Sequence, residues 1–426
     1  MLRKALFNLG VFLRNPSIKQ WLGFFKDAEN WDLQQIEAYQ LKKLKELLTV
    51  AYNHSPYYKK VFDEHKFHPE SIKKVTDITL VPILTKKDAI AFSKEIHTNL
   101  KFKKRFKAST SGSTGNPLVF MREERTDSFN RACIFHNYAK FGVKPWERNG
   151  YFWGFDFSLK EKLKTRFLDF LQNRFRLFSY DDANLNKFVE KLKKARYLHG
   201  YSSMVYQTAK LINGKKLSKP EGLRIIKGTS EKIYDSYQEE IIKAFGKKMI
   251  SEYGAAETGI IAFECPHGHM HINTVGCIVE EANNEIMVTN LQLHSFPIIR
   301  YKLGDYIKLA EPGFICTCGS QHAILEEVTG RVGENVYGKK GIYPSLYFYY
   351  IFKNLAKNGV LVTYQVVQKQ KGYLDFFIEE ALDADKHLLL EKEIKAYFKE
   401  DMDFNITSES QKGFASAKSK SFISYI

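Results

Sequence analysis

The sequence predicts an α/β protein with a large N-terminal part and a small α+β unit at its C-terminal end. Three observations predict it. Short apolar runs of strand character alternate with helical patterns from residue 124 onward, the signature of an α/β fold. After Gly330-Arg331-Val332-Gly333 the composition changes, and a compact β-α alternation follows. The 426 residues, 44% hydrophobic and 27% charged, are globular in composition but exceed a single core, which stops growing near roughly 250–300 residues.

In chain order, Leu2, Leu6, Leu9 and Leu13 recur at helical spacing and read as an amphipathic helix. Asn8 interrupts its apolar stretch and no small-x-small cleavage site follows, which argues against a secretory leader. Packing on the protein is the default for this helix, with a membrane-lying helix as the alternative. Residues 31–55 read as a long helix with Leu33, Ile36, Leu41, Leu44, Leu47, Leu48 and Ala51 on its apolar face, stopped at Ser55-Pro56. Helical pattern returns at 124–141 and 184–195. Strand-like runs fall at Tyr151–Phe155, Arg224–Lys227, Lys248–Ser251, Glu285–Thr289 and Ile307–Leu309. The C-terminal unit reads as a helix at Leu346–Leu355, strands at Val360–Val367 and Tyr373–Glu379, and a helix at 386–399 with Leu388, Leu389, Ile394 and Phe398 inward. This divides the chain into 1–332 and 333–426.

Sixty-five Lys and Arg against 48 Asp and Glu give a net charge of +17, and residues 1–110 hold 21 basic and 11 acidic side chains. A basic front suggests an anionic partner (phospholipid surface, acidic glycan or nucleic acid), although scattered lysines are ordinarily a solvated surface. Five cysteines exclude a disulfide-built scaffold, and no apolar run approaches the roughly 18 residues of a membrane span. The expectation is a soluble protein of the cytoplasm.

The most informative segment is Ser109-Thr110-Ser111-Gly112-Ser113-Thr114-Gly115-Asn116-Pro117, with five hydroxyls and two glycines in nine residues. Glycines let amides turn inward and hydroxyls add donors, so such a loop suits phosphate oxygens, although many loops of this composition are plain linkers. No Gly-Lys-Ser/Thr closes it, which excludes the common P-loop. Cys265-Pro-His267-Gly-His269-Met-His271 and Cys316-Thr-Cys318-Gly319 form two knuckles of zinc-ligand type, with the nitrogen ligand left open among the three histidines. Free core cysteines are the plain alternative.

The loop resembles the phosphate-binding signature of the adenylate-forming ligases, Ser-Gly-Thr/Ser-Thr-Gly-x-Pro. Ser251-Glu252-Tyr253-Gly254-Ala255-Ala256-Glu257 resembles their Tyr-Gly-x-x-Glu motif, Arg300-Tyr301-Lys302-Leu303-Gly304-Asp305 their Tyr-Arg-Thr-Gly-Asp, and Gly330-Arg331 their hinge-preceding pair. Four such motifs stand in the family's order. Tyr52-Asn53-His54-Ser55-Pro56-Tyr57-Tyr58 and Leu198-His199-Gly200-Tyr201-Ser202-Ser203 point to the phenylacetate–CoA ligase-related branch and its CapK-like capsular polysaccharide biosynthesis proteins.

The resemblance implies a large adenylation domain with mixed sheets over 1–332 and a small mobile domain over 333–426. It implies that Ser109, Thr110, Ser111, Gly112, Ser113, Thr114 and Gly115 hold ATP phosphates and that Glu257 holds Mg²⁺. Tyr253 and Gly254 would flank adenine, with Gly228, Thr229, Ser230 and Glu231 also beside it, while Asp305 accepts from the ribose and Arg331 contacts the nucleotide. The tail Ser416-Ala417-Lys418-Ser419-Lys420 aligns Lys418 with the catalytic lysine, with Lys420 near enough to replace it. Cys265, His271, Cys316 and Cys318 become the structural zinc set. The implied activity is AMP-forming activation of a carboxylate with transfer to an amine, hydroxyl or thiol, in surface polysaccharide biosynthesis. An aryl- or acyl-CoA ligase using CoA is the enzymatic alternative, and a non-catalytic basic binding module is the other. Peripheral contact with the inner face of a membrane or a lipid-linked anionic glycan fits the basic front, and nucleic acid is not the expected partner.

Overall fold

The computed structural model describes residues 2–110, 117–152, 159–177, 182–311, 313–331, 335–408 and 421–426. Ser111–Gly115 of the hydroxyl-rich loop and both tail lysines, Lys418 and Lys420, lie outside the described residues.

The chain opens with four helices: α1 (Leu2–Arg14), α2 (Ile18–Ala28), α3 (Leu33–His54) and α4 (Pro56–Glu64). A capping box starts α3, where Asp32 Oδ1 accepts from Gln35 N at 2.8 Å and Gln35 Oε1 accepts from Asp32 N at 3.1 Å. Ile36, Leu44, Leu47, Leu48 and Ala51 are buried as their spacing predicts, whereas Leu33, in the first turn, is exposed. Ser55-Pro56 does more than stop α3: extended Ser55 caps α4, and Pro56 takes that helix's first position. Helix α1 packs on the protein, but not through its leucine stripe. Phe7 and Val11 face the protein, and Leu2, Leu9 and Leu13 face solvent. Two short helices, α5 (Lys86–Ala91) and α6 (Ser93–Ile96), lead to the hairpin of β1 (Arg105–Ser109) and β2 (Val119–Glu123) and then to α7 (Glu124–Lys140).

The centre is one sheet of eleven strands among the described residues, half parallel and half antiparallel. Its parallel half is built by β3 (Asn149–Phe152), α8 (Leu159–Leu171), β4 (Arg174–Arg176), α9 (Asp182–Leu192), β5 (Tyr197–Tyr201), α10 (Ser202–Gly214), β6 (Ile225–Thr229), α11 (Asp235–Phe245) and β7 (Ile250–Ala255). These strands lie in the order β4-β3-β5-β6-β7, with β5 buried along its whole length as a covered parallel strand requires. The antiparallel half adds β8 (Gly259–Glu264), β9 (Met270–Ile272), β10 (Cys277–Ala282), β11 (Glu285–Asn290), β12 (Tyr301–Leu309) and β13 (Ile324–Arg331), in the order β8-β9-β13-β12-β11-β10. Helices α3 and α4 share a core with this half through Leu44, Phe62, Ile261 and Ile299.

After residue 334 come the hairpin β14 (Asn335–Tyr337) and β15 (Ile342–Pro344), α12 (Leu346–Lys357), β16 (Tyr364–Gln370), β17 (Tyr373–Ile378), α13 (Ala384–Phe398), β18 (Asp403–Ser408) and β19 (Phe422–Ser424). The last four strands form a separate sheet in the order β18-β17-β16-β19 over a core of its own, including Phe348, Phe376, Phe398 and Phe422. Helix α13 buries Leu390, Ile394 and Phe398 at i, i+4 and i+8, and Leu388, expected inward, is exposed because it lies about 200° around the axis from Leu390. This unit sits against the parallel half, with Lys210 Nζ 2.6 Å from Glu379 Oε1 and Ser236 Oγ 3.0 Å from Thr363 Oγ1.

Candidate active site and cysteine–histidine cluster

Strands β5, β6 and β7 are parallel, so their carboxyl ends open on one edge, and β7 borders the first antiparallel strand. Open α/β sheets bind ligands outside the carboxyl ends of their parallel strands. At this edge β5 runs directly into α10, and Glu231, beyond β6, closes that helix start: its Oε2 accepts from Ser203 N at 2.8 Å. Gly228 permits the approach, because a Cβ there would lie 2.5 Å from Ser202 Oγ. Thr229 ends β6, and Ser230 follows with φ +67°. Next to them burial drives the Lys232 ammonium down to about 8, opposed by Glu327 and Asp235.

Tyr253 and Gly254 lie on β7, and the turn into β8 holds Glu257, whose residue is 4% exposed. Glu257 Oε1 accepts from Tyr301 Oη at 3.1 Å, and Asn290 Nδ2 donates to the carbonyls of Glu257 and Thr258, fixing the turn. Asp305 Oδ2 accepts from Tyr253 Oη at 2.7 Å. The pairing of β12 with β11 jumps from Met287↔Lys302 to Glu285↔Tyr306, and Gly304 within that bulge has φ +82°. Bulges re-aim side chains in this way, here at the residue before Asp305. The backbone of Arg331 is Asp305's partner across β13. Tyr253, Asp305 and the Arg331 backbone are thus adjacent though up to 78 residues apart in the chain, and Glu257 is tied to the same strand β12 through Tyr301.

Ser109 ends β1 opposite Val119, and Thr110 Oγ1 accepts from Leu118 N at 2.9 Å, so both ends of the hydroxyl-rich loop are held by the β1–β2 hairpin. Glu123 anchors the hairpin's far end by accepting from His294 N and Ser295 N at 2.8 and 3.2 Å. Two participants escaped the sequence reading. Tyr301 was visible only as part of a motif, not as Glu257's donor. Lys227 and Glu252 form an ion pair of 2.6 Å between β6 and β7 with side chains 4% and 8% exposed. The available signal was a charged residue at the end of the run Arg224–Lys227 and another just past the run Lys248–Ser251.

The cysteines and histidines assemble elsewhere on the antiparallel half. The ligand atoms of Cys265, His271, Cys316 and Cys318 all lie within 4.8 Å of one another. Each cysteine knuckle has the same build. His267 N donates to Cys265 Sγ and Cys318 N donates to Cys316 Sγ, both at 3.4 Å, and each turn passes through a glycine, Gly268 or Gly319, with φ +84°. His271 Nδ1 is bonded to the His322 carbonyl at 3.1 Å, which leaves Nε2 toward Cys318 Sγ at 3.3 Å. Burial lowers the His271 pKa, favouring neutral imidazole. His267 turns away to Thr317 Oγ1 at 2.9 Å, and His269 Nδ1 is 3.4 Å from Cys316 Sγ. Cys265 Sγ and Cys316 Sγ are 3.8 Å apart, and two thiolates on one tetrahedral zinc at ~2.3 Å would sit ~3.8 Å apart. The donor set therefore fits zinc. Cys133 and Cys277 are buried apart from it.

A large sheet switching from parallel to antiparallel, a hairpin-held hydroxyl loop and a small α+β unit make up the fold of the adenylate-forming ligases. The chain shares it with 2-hydroxyisobutyryl-CoA ligase in the postadenylation state in complex with 2-HIB-AMP, at a TM-score of 0.73 and 15% identity over 93% of this chain and 91% of that one. The same ligase in its open conformation with 2-HIB-AMP and CoA gives 0.63 over 93% of each chain, again at 15% identity. In sequence the chain is similar to Protein CapK of Staphylococcus aureus, 23% identical over 374 residues, which cover 83% of this chain and 80% of that protein. No family profile matches the sequence.

Proposed function

We propose that the chain is an ATP-dependent, AMP-forming carboxylate ligase. A carboxylate oxygen attacks the α-phosphorus of ATP, the bond from that phosphorus to the α,β-bridging oxygen breaks, and pyrophosphate leaves with the displaced electron pair. An acceptor amine, hydroxyl or thiol then takes the acyl group and releases AMP. The observation that carries this reading is the pair of tyrosine–carboxylate hydrogen bonds, Tyr253 to Asp305 and Tyr301 to Glu257, that tie β7 and the turn after it to β12. Asp305 has oxygens for the paired ribose hydroxyls, and Tyr253, tied to it, lies along adenine. Glu257 supplies a hard oxygen of the type Mg²⁺ takes, and that ion neutralises phosphate charge when bound. Ser109 to Gly115 surround the β- and γ-phosphates, with Gly228 to Glu231 beside adenine and Arg331 on the nucleotide between domains 1–332 and 333–426. Lys418 bridges carboxylate and α-phosphate as charge redistributes. A zinc ion held by Cys265, His271, Cys316 and Cys318 is structural, because four protein ligands leave no open position.

The likeness to CapK supports work in capsular polysaccharide synthesis at the cytoplasmic side, on a small or glycan-linked carboxylate. The second reading, a CoA acceptor, is favoured by the fold's closeness to a CoA ligase. ATP–pyrophosphate exchange over uronic, aryl, hydroxy and amino acids tests the first step, and product analysis with CoA or amines separates the acceptors. Exchange with one acid class and its loss in Lys418→Ala are expected. Exchange with none overturns the proposal in favour of a non-catalytic module.

A further inference from the structure

Helices α1 and α8 lie side by side with Arg3 Nη1 donating to the Phe170 carbonyl at 2.9 Å and its guanidinium 4.2 Å from the Phe170 ring centroid. Both are oriented backwards for surface helices of a globular protein, which turn the apolar stripe inward and the polar face out. In α1 the apolar arc runs through Leu2, Leu9 and Leu13, with Phe12 on its flank, and all four are between 56 and 72% exposed. The side facing the protein holds Phe7, against Phe135 and Trp146, and Val11. In α8 the stripe Leu163, Phe167 and Phe170, at i, i+4 and i+7, is 54–66% exposed. The inward side there is polar: Asp169, buried, accepts from Arg176 Nε at 2.6 Å and Nη2 at 2.7 Å. α1 is held at its far end by Lys104 Nζ, which donates to the carbonyls of Leu13 and Arg14 at 2.7 and 2.9 Å. The polar anchors thus fix both helices with their apolar stripes outward.

We infer that the α1–α8 face is a docking surface for an anionic lipid bilayer. Charge selects this occupant. The two helices carry seven basic and two acidic residues, with Lys4, Lys160 and Lys164 exposed around the apolar stripes. Paired amphipathic helices with basic rims bury their apolar side at the acyl boundary while the lysines meet anionic headgroups. A second copy of the chain would bring the same basic rim against itself. The inference is independent of the ligase reading, because none of these side chains belongs to the site at the sheet edge.

The test is sedimentation of the full chain with vesicles of phosphatidylcholine containing a quarter phosphatidylglycerol, beside vesicles of phosphatidylcholine alone, at low and high salt. The wild-type chain should partition onto the anionic vesicles at least tenfold more strongly, and high salt should weaken that binding. Leu13→Glu combined with Phe167→Glu should lower partitioning at least tenfold. Both positions are exposed, so melting temperature and pyrophosphate exchange should stay at wild-type values, while Lys164→Glu should weaken binding less. Absence of wild-type binding to anionic vesicles overturns the inference, as does equal binding by the double variant. A concentration-dependent dimer that the same double substitution dissolves, with no vesicle binding, overturns it in favour of a self-interface.

Discussion

Two polar clusters are built from the antiparallel half of one sheet, and they differ in what their atoms face. In the cysteine–histidine cluster, four ligand atoms face one another, and the outer nitrogen of His271 is already tied to a carbonyl. At the second, Glu257 and Asp305, both buried, accept from tyrosine hydroxyls and are aimed by a turn and a bulge. The first arrangement brings together ligand atoms from two chain segments some fifty residues apart. The second ties each carboxylate to a tyrosine hydroxyl across strands. On the proposed function the first cluster is a brace and the second a binding site.

The sharpest way to break the contrast is Glu257→Gln. The substitution keeps shape and the Tyr301 bond but removes a charge, so Mg²⁺-dependent turnover should fall about 100-fold. Thermal stability should barely move. Titrating exchange activity against Mg²⁺ checks it, and an unchanged Mg²⁺ requirement would show that this carboxylate belongs to the structure rather than to the chemistry.

Cys316→Ser should do the reverse. Purified wild-type protein is expected to contain about one zinc per chain, and the variant should lose it and melt several degrees lower. Turnover of the folded fraction should stay within about threefold of wild type, since a closed site touches no substrate. Elemental analysis and a melting curve, read beside kinetics, decide it.

Asp305→Ala sits between these two in size. It removes acceptors used alike in the ground and transition states, so KM for ATP should rise about tenfold with kcat nearly constant. A fall in kcat at unchanged KM would mean that Asp305 acts on the reacting groups instead.

How much of this was legible differs by region, for physical reasons. Glu257, Tyr253 and Asp305 stood in short motifs whose order identified them, and the four cluster ligands stood in two recognisable knuckles. Helix α3 was legible because the spacing of its buried stripe alone marks it. The antiparallel strands β8, β9 and β13 were not, since short strands beside turns carry little periodicity. The phase of α13 was missed because three consecutive leucines, Leu388 to Leu390, offer several apolar faces, and only packing selects Leu390. The orientation of α1 could not be read at all. A periodic pattern states that a helix is amphipathic, not which side meets the protein; Phe7 and Val11 settle that through partners distant in sequence.

The smallest expected effects compare the two tyrosines that serve the carboxylates. Tyr301→Phe removes the hydroxyl donated to Glu257, and Tyr253→Phe removes the one donated to Asp305, while both keep their rings. A hydrogen bond of this kind contributes about 1 kcal/mol, so each change should cost about fivefold. The effects should fall on different axes. Without its donor, Glu257 loses the contact that fixes its oxygen, so Tyr301→Phe should raise the Mg²⁺ concentration needed for half-maximal exchange and leave KM for ATP alone. Tyr253→Phe frees Asp305 to rotate and should raise KM for ATP with no change in Mg²⁺ dependence, because the ring that the proposal sets along adenine is kept. Measuring both constants for both variants tests whether the two halves of the cluster act separately. If either substitution moves both constants together, the cluster works as one hydrogen-bonded unit, and metal and ribose positions are coupled through β12.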